Sequence, residues 1–491
     1  MASRGIFAGN RVAVRGKPAM GLYCGHWKPG KTDRMNKPLH IVILAAGEGT
    51  RMRSRRPKML QSLGGRPMLA HLLETASGMQ AEAVHVVVGS GADDVMRACD
   101  GFEVEWVHQV ERRGTGHAVM QAMPGIPDGA NVLVLLGDQP LLPGALLEQM
   151  ADDFRGPLSL LTMELEDPTG YGRILRDPGG NIIGIIEHHE AEPEQHRIRE
   201  VNTGIIMADA TRLRSWLGGL GCDNAKQEYY LTDIFSLARA ENGEIQGIVA
   251  PDPRDLQGAN DRAQLAELER RCQQRMASGL MESGVQLADP ARLDVRGAVE
   301  AGSDVFIDIN VVLEGDIRLG DGVSIGPGAI LKNCDLAAGT RVHAYSVLED
   351  VVTTGTCDIG PFARLRPGTV LSGGCKVGNF VETKNAVLGE GSKASHLTYL
   401  GDSEIGSGVN IGAGTITCNY DGANKHRTVI GDDVFVGSDS QLVAPVTIGR
   451  GATIGAGSTV TKDAQPDSLT VSRARQTTIE GWKRPRKDKG S

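Results

Sequence analysis

The sequence predicts a layered α/β domain with a mostly parallel sheet, followed by a parallel β-helix. From residue 40 to about 250, short β-rich runs alternate with helical stretches, the signature of βαβ units. Between positions 301 and 460 there are 27 glycines in 160 residues, far above the usual roughly 7%. In that same region apolar residues recur every six positions: Ile430, Val436, Leu442, Ile448, Ile454 and Val460, echoed by Leu319, Ile325, Leu331 and by Ile359, Leu365, Leu371, Val377. Such a hexapeptide period marks a parallel β-helix, in which one aliphatic residue per six fills the interior and small residues take the corners.

The first 35 or so residues, through Met35, are basic, rich in Gly and without periodicity, and they lack the apolar core of a secretory signal. They are expected to be disordered or a start-site artefact. The run His40-Ile41-Val42-Ile43-Leu44 has the length and residue types of a buried strand, and the stretch "LAAGEGTRMRSRRPK" leaves its end. In an open α/β sheet that is where ligands bind, and Gly47 and Gly49 would let backbone N–H groups approach a phosphate. Arg51, Arg53, Arg55, Arg56 and Lys58 would repel one another in a purely structural loop, so an anionic ligand or a solvated face must absorb their charge.

Pro67 to Ser77 has helical spacing, and Val84 to Val88 reads as the next strand. In "NVLVLLGDQPLL" a buried strand, Val132 to Leu136, delivers Asp138 to the same edge as the Gly-rich loop. A carboxylate there suits Mg²⁺, which takes one or two carboxylates plus substrate phosphates; the alternative is a cap for the following helix. Leu265, Leu268, Cys272, Met276 and Leu280 recur at three- and four-residue steps, giving a connecting helix with one apolar stripe. At 418 to 429 the polar, cationic "CNYDGANKHRTV" breaks the hexapeptide period, and an insertion in a solenoid is a loop that more often carries function than structure.

Composition excludes several classes. With 491 residues the chain should hold two or three domains, and its net charge of −8 argues against a general nucleic-acid binder. No run of 18 apolar residues spans a membrane. The eight cysteines form no CxxC pair and no Cys/His cluster at metal spacing, so they read as free thiols of a cytosolic protein.

Taken together, "LAAGEGTRM…RPK", "GTGHA", "GDQPLL", "DPTGYGRI", "VNTGI", the hexapeptide repeats and "HLTYLGD…NIGAGTITCNYDGANKHRTVIGDDVFVGSDSQLVAPV" resemble the bifunctional bacterial N-acetylglucosamine-1-phosphate uridylyltransferase / glucosamine-1-phosphate N-acetyltransferases, in order, from about residue 38 to the end. The resemblance implies a Rossmann-like nucleotidyltransferase domain followed by a left-handed parallel β-helix (hexapeptide repeat) domain. It implies these bounds: 1–37 a disordered extension, 38–260 the uridylyltransferase, 261–285 a helical linker, and 286–491 the acetyltransferase with its tail.

For the first domain the resemblance implies UTP and N-acetylglucosamine 1-phosphate as substrates. Arg51 and Lys58 match the family's phosphate-binding cations, Leu44 and Gly47 its nucleotide loop, Gln109, Gly114 and Thr115 its uracil site. Gly172, Glu187 and Asn202 match the groups that hold the acetylated sugar, and Asp138 and Asn260 the Mg²⁺ ligands. For the second domain it implies glucosamine 1-phosphate and acetyl-CoA, with sites between the helices of a homotrimer. The amine must attack as the free base, a task for a near-neutral group: His396 matches the general base and Glu382 the carboxylate that orients it. Arg366, Lys384, Tyr399, Asn410 and Lys425 match the sugar-phosphate pocket, and Asn419, Tyr420, Ser438, Ala456 and Arg473 the acetyl-CoA contacts. The expected location is the cytoplasm, without nucleic-acid partners.

Glu48 departs from the electrostatic logic of a phosphate loop and is expected to face solvent or to pair with a nearby arginine. Two rival readings are a single-activity sugar pyrophosphorylase, against which His396 and the "NYDGANK" loop speak, and a non-catalytic assembly subunit. The second would have lost Arg51, Lys58, Asp138 and Asn260, all of which are present.

Overall fold

The structure, a computed structural model, describes residues 37–224, 227–241 and 243–485. All of the N-terminal extension but Lys37, and the end of the basic tail from 486, lie outside the described residues. The described chain separates between Met276 and Ala277, inside the helix Arg262–Glu282, into two units.

The first unit is a three-layer α/β fold. Its sheet runs Ile245–Val249, Leu158–Glu164, Glu200–Asp209, Asn131–Leu136, Leu39–Ala45, Ala83–Val88, Glu105–His108. The four strands at the second end of that order pair in parallel, as the alternating pattern predicts. Glu200–Asp209 departs from the pattern, being antiparallel to both of its neighbours in the sheet. Ile41, Ile43, Leu133 and Leu135 point to one face, Val42, Val132 and Val134 to the other, and each set is packed into a separate apolar cluster. That two-sided burial is why these strands read as continuous apolar runs. The helix Met68–Gly78 covers one face with Leu69, Leu72 and Leu73; Thr115–Ala122 covers the other with Ala118 and Val119.

The second unit is a left-handed parallel β-helix built of short strands in parallel pairing. The hexapeptide aliphatics point inward: Val436, Leu442, Ile448 and Ile454 are fully buried, and so are Ile325, Leu331, Ile359, Leu365, Leu371 and Val377. Partners on successive coils lie 17 or 18 residues apart, as in Leu388↔Ile405 and Ile430↔Ile448, whereas Ile405↔Ile430 spans 25. The segment 419–427 therefore contains an insertion of 7 to 8 residues (25 − 18 to 25 − 17), closed on itself by the bridge Tyr420↔Lys425.

Candidate functional site

In the first unit the candidate residues meet at the carboxyl edge of the sheet, where Leu44 pairs with Leu136 and the Leu44 carbonyl accepts a hydrogen bond from Gly137 at 2.9 Å. The chain then turns through Gly49, whose φ of +64° is left-handed; a Cβ there would lie 2.6 Å from Lys58 Cβ. Gly47 has open space on its Cβ side, while Arg51 lies exposed on the turn Thr50–Met52. The basic segment is anchored by buried Gln61, whose Nε2 donates to the Arg56 carbonyl at 3.0 Å and whose Oε1 accepts from Arg262 at 2.7 Å.

Lys58 is buried, and its ammonium donates to Asp138 Oδ2 at 2.5 Å and Asn260 Oδ1 at 2.8 Å. Asp138 leaves the cap of the next helix, Gly144–Asp152, to Pro143. Two oxygens 122 residues apart (260 − 138) thus converge on one cation, with Ala259 N–H donating to the Asp138 carbonyl at 3.1 Å to hold the segments side by side. Oxygen donors already shared by a cation fit a hard divalent ion completed by phosphate oxygens. Sequence reasoning missed Gly258, where a Cβ would press 3.3 Å from Asp138 Cγ; a single glycine beside a polar segment carries no signal of that contact.

Beside this cluster, Gln109 Nε2 donates to the Gly114 carbonyl at 3.2 Å, and Thr115 Oγ1 accepts from Leu231 N–H at 3.1 Å. Gly114 has φ +101°, and a Cβ would lie 2.5 Å from the Tyr229 carbonyl oxygen. Asn202 N–H donates to the Gly172 carbonyl at 2.9 Å, and a Cβ on Gly172 would stand 3.4 Å from Glu187 Oε1, so these three also come together. Glu187 lines a cleft of about 290 Å³ with Ile185, Tyr230 and Asp233. Burial, then the nearby Glu190, pushes the Asp233 carboxyl up. Glu48 pairs with Arg112 at the exposed rim, the second of the two resolutions its charge allowed.

In the second unit, Arg366 and Lys384 occupy equivalent places on adjacent coils, with Arg366 N–H donating to the Thr383 carbonyl at 2.9 Å and Leu365 paired with Thr383. The insertion loop brings Lys425 against them. Close approach of Lys425, then Arg366, pushes the Lys384 ammonium down. Three cations held this near one another suit an anion of high charge. Tyr399 lies on the next coil, paired with Glu382, and its ring folds over Gly401, where a Cβ would meet the phenol oxygen at 2.3 Å. Asn410 pairs with Lys393, at the head of the strand that ends in His396.

Glu382 and His396 are held by different partners. Glu382 Oε1 accepts from Arg366 at 2.9 Å, whereas His396 Nδ1 meets Asn379 Oδ1 at 2.6 Å. The reason is register: Asn379 and His396 are paired one coil apart, each followed by a left-handed corner, Phe380 at φ +57° and Leu397 at φ +48°, and Glu382 lies beyond that corner.

Asn419 Nδ2 donates to Asp402 Oδ2 at 2.5 Å, tying the insertion loop to the solenoid, and Tyr420 stands exposed beside it. Within the loop, Asp421 accepts from Ala423 and Asn424 N–H and from His426 Nε2 at 2.6 Å, bonds that drive its carboxyl far below the usual range. Ser438 and Ala456 form a second group on later coils, one above the other, and Arg473 donates to the Ala456 carbonyl at 2.6 Å. Ala413, which sequence reasoning passed over, stands one coil before Ser438, its carbonyl accepting from Asp439 N–H at 2.7 Å.

Comparison with known proteins matches residues 41–166 to the MobA-like NTP transferase domain and residues 302–333 and 427–462 to the bacterial transferase hexapeptide (six repeats). A protein of Alkalilimnicola ehrlichii named bifunctional protein GlmU is 55% identical over 458 residues, 93% of this chain and 99% of its own. Proteins of the same name from Xanthomonas axonopodis pv. citri and Stenotrophomonas maltophilia are 56% and 55% identical over 454 residues, 92% of this chain and 99% and 100% of theirs. Among solved structures, a nucleotidyl transferase from Methanothermobacter thermautotroptrophicus aligns at a TM-score of 0.35 and 20% identity, covering 48% of this chain and 97% of that one.

Proposed function

The chain belongs to the bifunctional GlmU family, and from that premise we propose how its residues divide the work of two sites. It is a bifunctional enzyme: it acetylates glucosamine 1-phosphate with acetyl-CoA, then transfers UMP from UTP to N-acetylglucosamine 1-phosphate, giving UDP-N-acetylglucosamine and pyrophosphate.

In the uridylyl site, the loop from Leu44 through Gly47 receives the triphosphate, with Arg51 and Lys58 drawing charge off its oxygens. Gln109, Gly114 and Thr115 hold the uracil; Gly172, Glu187 and Asn202 hold the acetylated sugar. Asp138 and Asn260 would hold Mg²⁺, which when bound would neutralise triphosphate charge. The sugar phosphate attacks the α-phosphorus in line, a reaction that asks the protein chiefly for positioning and charge stabilisation. The observation that supports this reading is the convergence of Asp138 and Asn260 on the Lys58 ammonium. Among the described residues there is no cluster of three or more His, Cys, Asp or Glu poised for a metal, so substrate oxygens would complete the coordination.

In the acetyl site, Arg366, Lys384 and Lys425 take the phosphate dianion, with Tyr399 and Asn410 beside the sugar. His396 removes a proton from the ammonium so that the amine attacks the thioester carbonyl, and the CoA thiolate leaves. Asn419, Tyr420, Ser438, Ala456 and Arg473 hold acetyl-CoA. Glu382 serves by fixing Arg366.

The solenoid's self-association, as a trimer, is supported by an exposed ladder of stacked rings, Tyr345 on Phe362 on Phe380, with centroids 5.4 and 5.5 Å apart. No described helix is long and apolar enough to cross a membrane. Substrates of this class support a cytoplasmic location.

The test is mass spectrometry of products after incubating pure protein with glucosamine 1-phosphate, acetyl-CoA, UTP and Mg²⁺, with each component omitted in turn. UDP-N-acetylglucosamine is expected only from the complete mixture. Product only when N-acetylglucosamine 1-phosphate is supplied ready-made would mean that the solenoid is inactive.

A further inference from the structure

We infer that Asn379 is the positioning residue of the acetyl site, holding the His396 ring in the tautomer whose Nε2 is free to take the substrate's proton. The inference rests on the proposed role of His396 as base. Asn379 Oδ1 lies 2.6 Å from His396 Nδ1, and a carboxamide oxygen can only accept, so Nδ1 carries the hydrogen and the lone pair is left on Nε2.

The contact is built into the fold. Asn379 and His396 are paired in parallel register on adjacent coils, and Leu397 N–H donates to the Asn379 carbonyl at 3.1 Å. Beyond each residue the chain turns a left-handed corner on a large side chain, Phe380 or Leu397, a conformation that persists only where the surroundings enforce it. The same corner repeated one coil on holds both side chains at the same point of the turn. The amide and the imidazole therefore face each other whatever the substrate does. Among the described residues no other acceptor is hydrogen-bonded to Nδ1: Glu382, three residues along, is engaged by the Arg366 guanidinium at 2.9 Å.

The experiment compares the full-length Asn379→Leu and Asn379→Asp variants with His396→Ala as reference, measuring kcat and KM for acetyl transfer, uridylyl transfer and the melting temperature. Leucine should lower the acetyl-transfer kcat by roughly 10- to 100-fold, up to the lower limit of a general-base contribution because the base itself remains, while both KM values stay within about two-fold. Aspartate, which keeps an acceptor at the same place, should restore most of that loss. Two results would overturn the inference: full activity in Asn379→Leu, or equal losses in both variants, the mark of a packing role. Were His396→Ala itself to keep acetyl transfer, the base assignment would fall, and the inference with it.

Discussion

The Lys58 ammonium stands 2.5 Å from the Asp138 carboxylate, joining a residue of the basic loop to the end of a buried strand 80 positions later. The same ammonium holds Asn260, so one buried cation ties together three segments of the first unit. Asp138→Ala should abolish uridylyl transfer and spare acetyl transfer, while His396→Ala should do the reverse. Parallel assays of the two half-reactions check this, and loss of both activities in either folded variant would show that the sites are not separate.

Gly49 is where that arrangement is most exposed to a small change. Alanine would have to adopt φ +64°, at a cost of about 1–2 kcal/mol, and its Cβ would press against Lys58 Cβ. Gly49→Ala should reduce uridylyl transfer by at least about ten-fold, the equivalent of about 1.4 kcal/mol in the barrier, with acetyl transfer unchanged. Wild-type kinetics in both reactions would mean that the turn relaxes without moving Lys58.

Lys384 and Lys425 crowd one another, and a bound dianion would relieve the repulsion between their charges. Lys425→Ala should raise the KM for glucosamine 1-phosphate by about ten-fold, the worth of one charge-assisted hydrogen bond, and leave the KM for UTP alone. The effect should shrink at high ionic strength, since exposed charges are screened. Initial-rate measurements at two salt concentrations decide it.

Glu382 binds Arg366 rather than His396, and the two assignments predict different kinetics. Glu382→Gln should act through the guanidinium and raise the KM for glucosamine 1-phosphate. A fall in kcat at unchanged KM would return Glu382 to the role of orienting the base.

His71 gives the first unit a pH-dependent stability. Burial is the main cause that holds its imidazole down at about 4, against an ordinary 6.5, while its Nε2–H donates to the Leu63 carbonyl at 2.8 Å. With the folded-state value below the unfolded one, the unfolded chain takes up the proton first as pH falls. Stability is therefore full above about 6.5 and declines toward 4, by a maximum of about 3 kcal/mol. Thermal melting between pH 7 and 4 should show a shallower decline in His71→Gln than in the natural protein.

The period of six in the solenoid and the alternation of strand and helix before it were legible in the residues themselves, because each reflects a short-range rule. A side chain every sixth position must enter the coil's interior, and a strand covered on both faces must be apolar throughout. The Gly-rich turn after the first strand was legible too, since glycine takes the left-handed φ that Gly49 adopts at +64°. Which groups meet was decided by the tertiary structure. Strand order brought Asn260 to Asp138, chain pairing placed Glu200–Asp209 antiparallel in an otherwise parallel run, and the rim paired Glu48 with Arg112. The orienting partner of His396 shows the difference most directly. Spacing alone could not separate Asn379 from Glu382, because contact across a solenoid depends on the register of neighbouring coils and on where each corner falls, and those are set by how the coils stack.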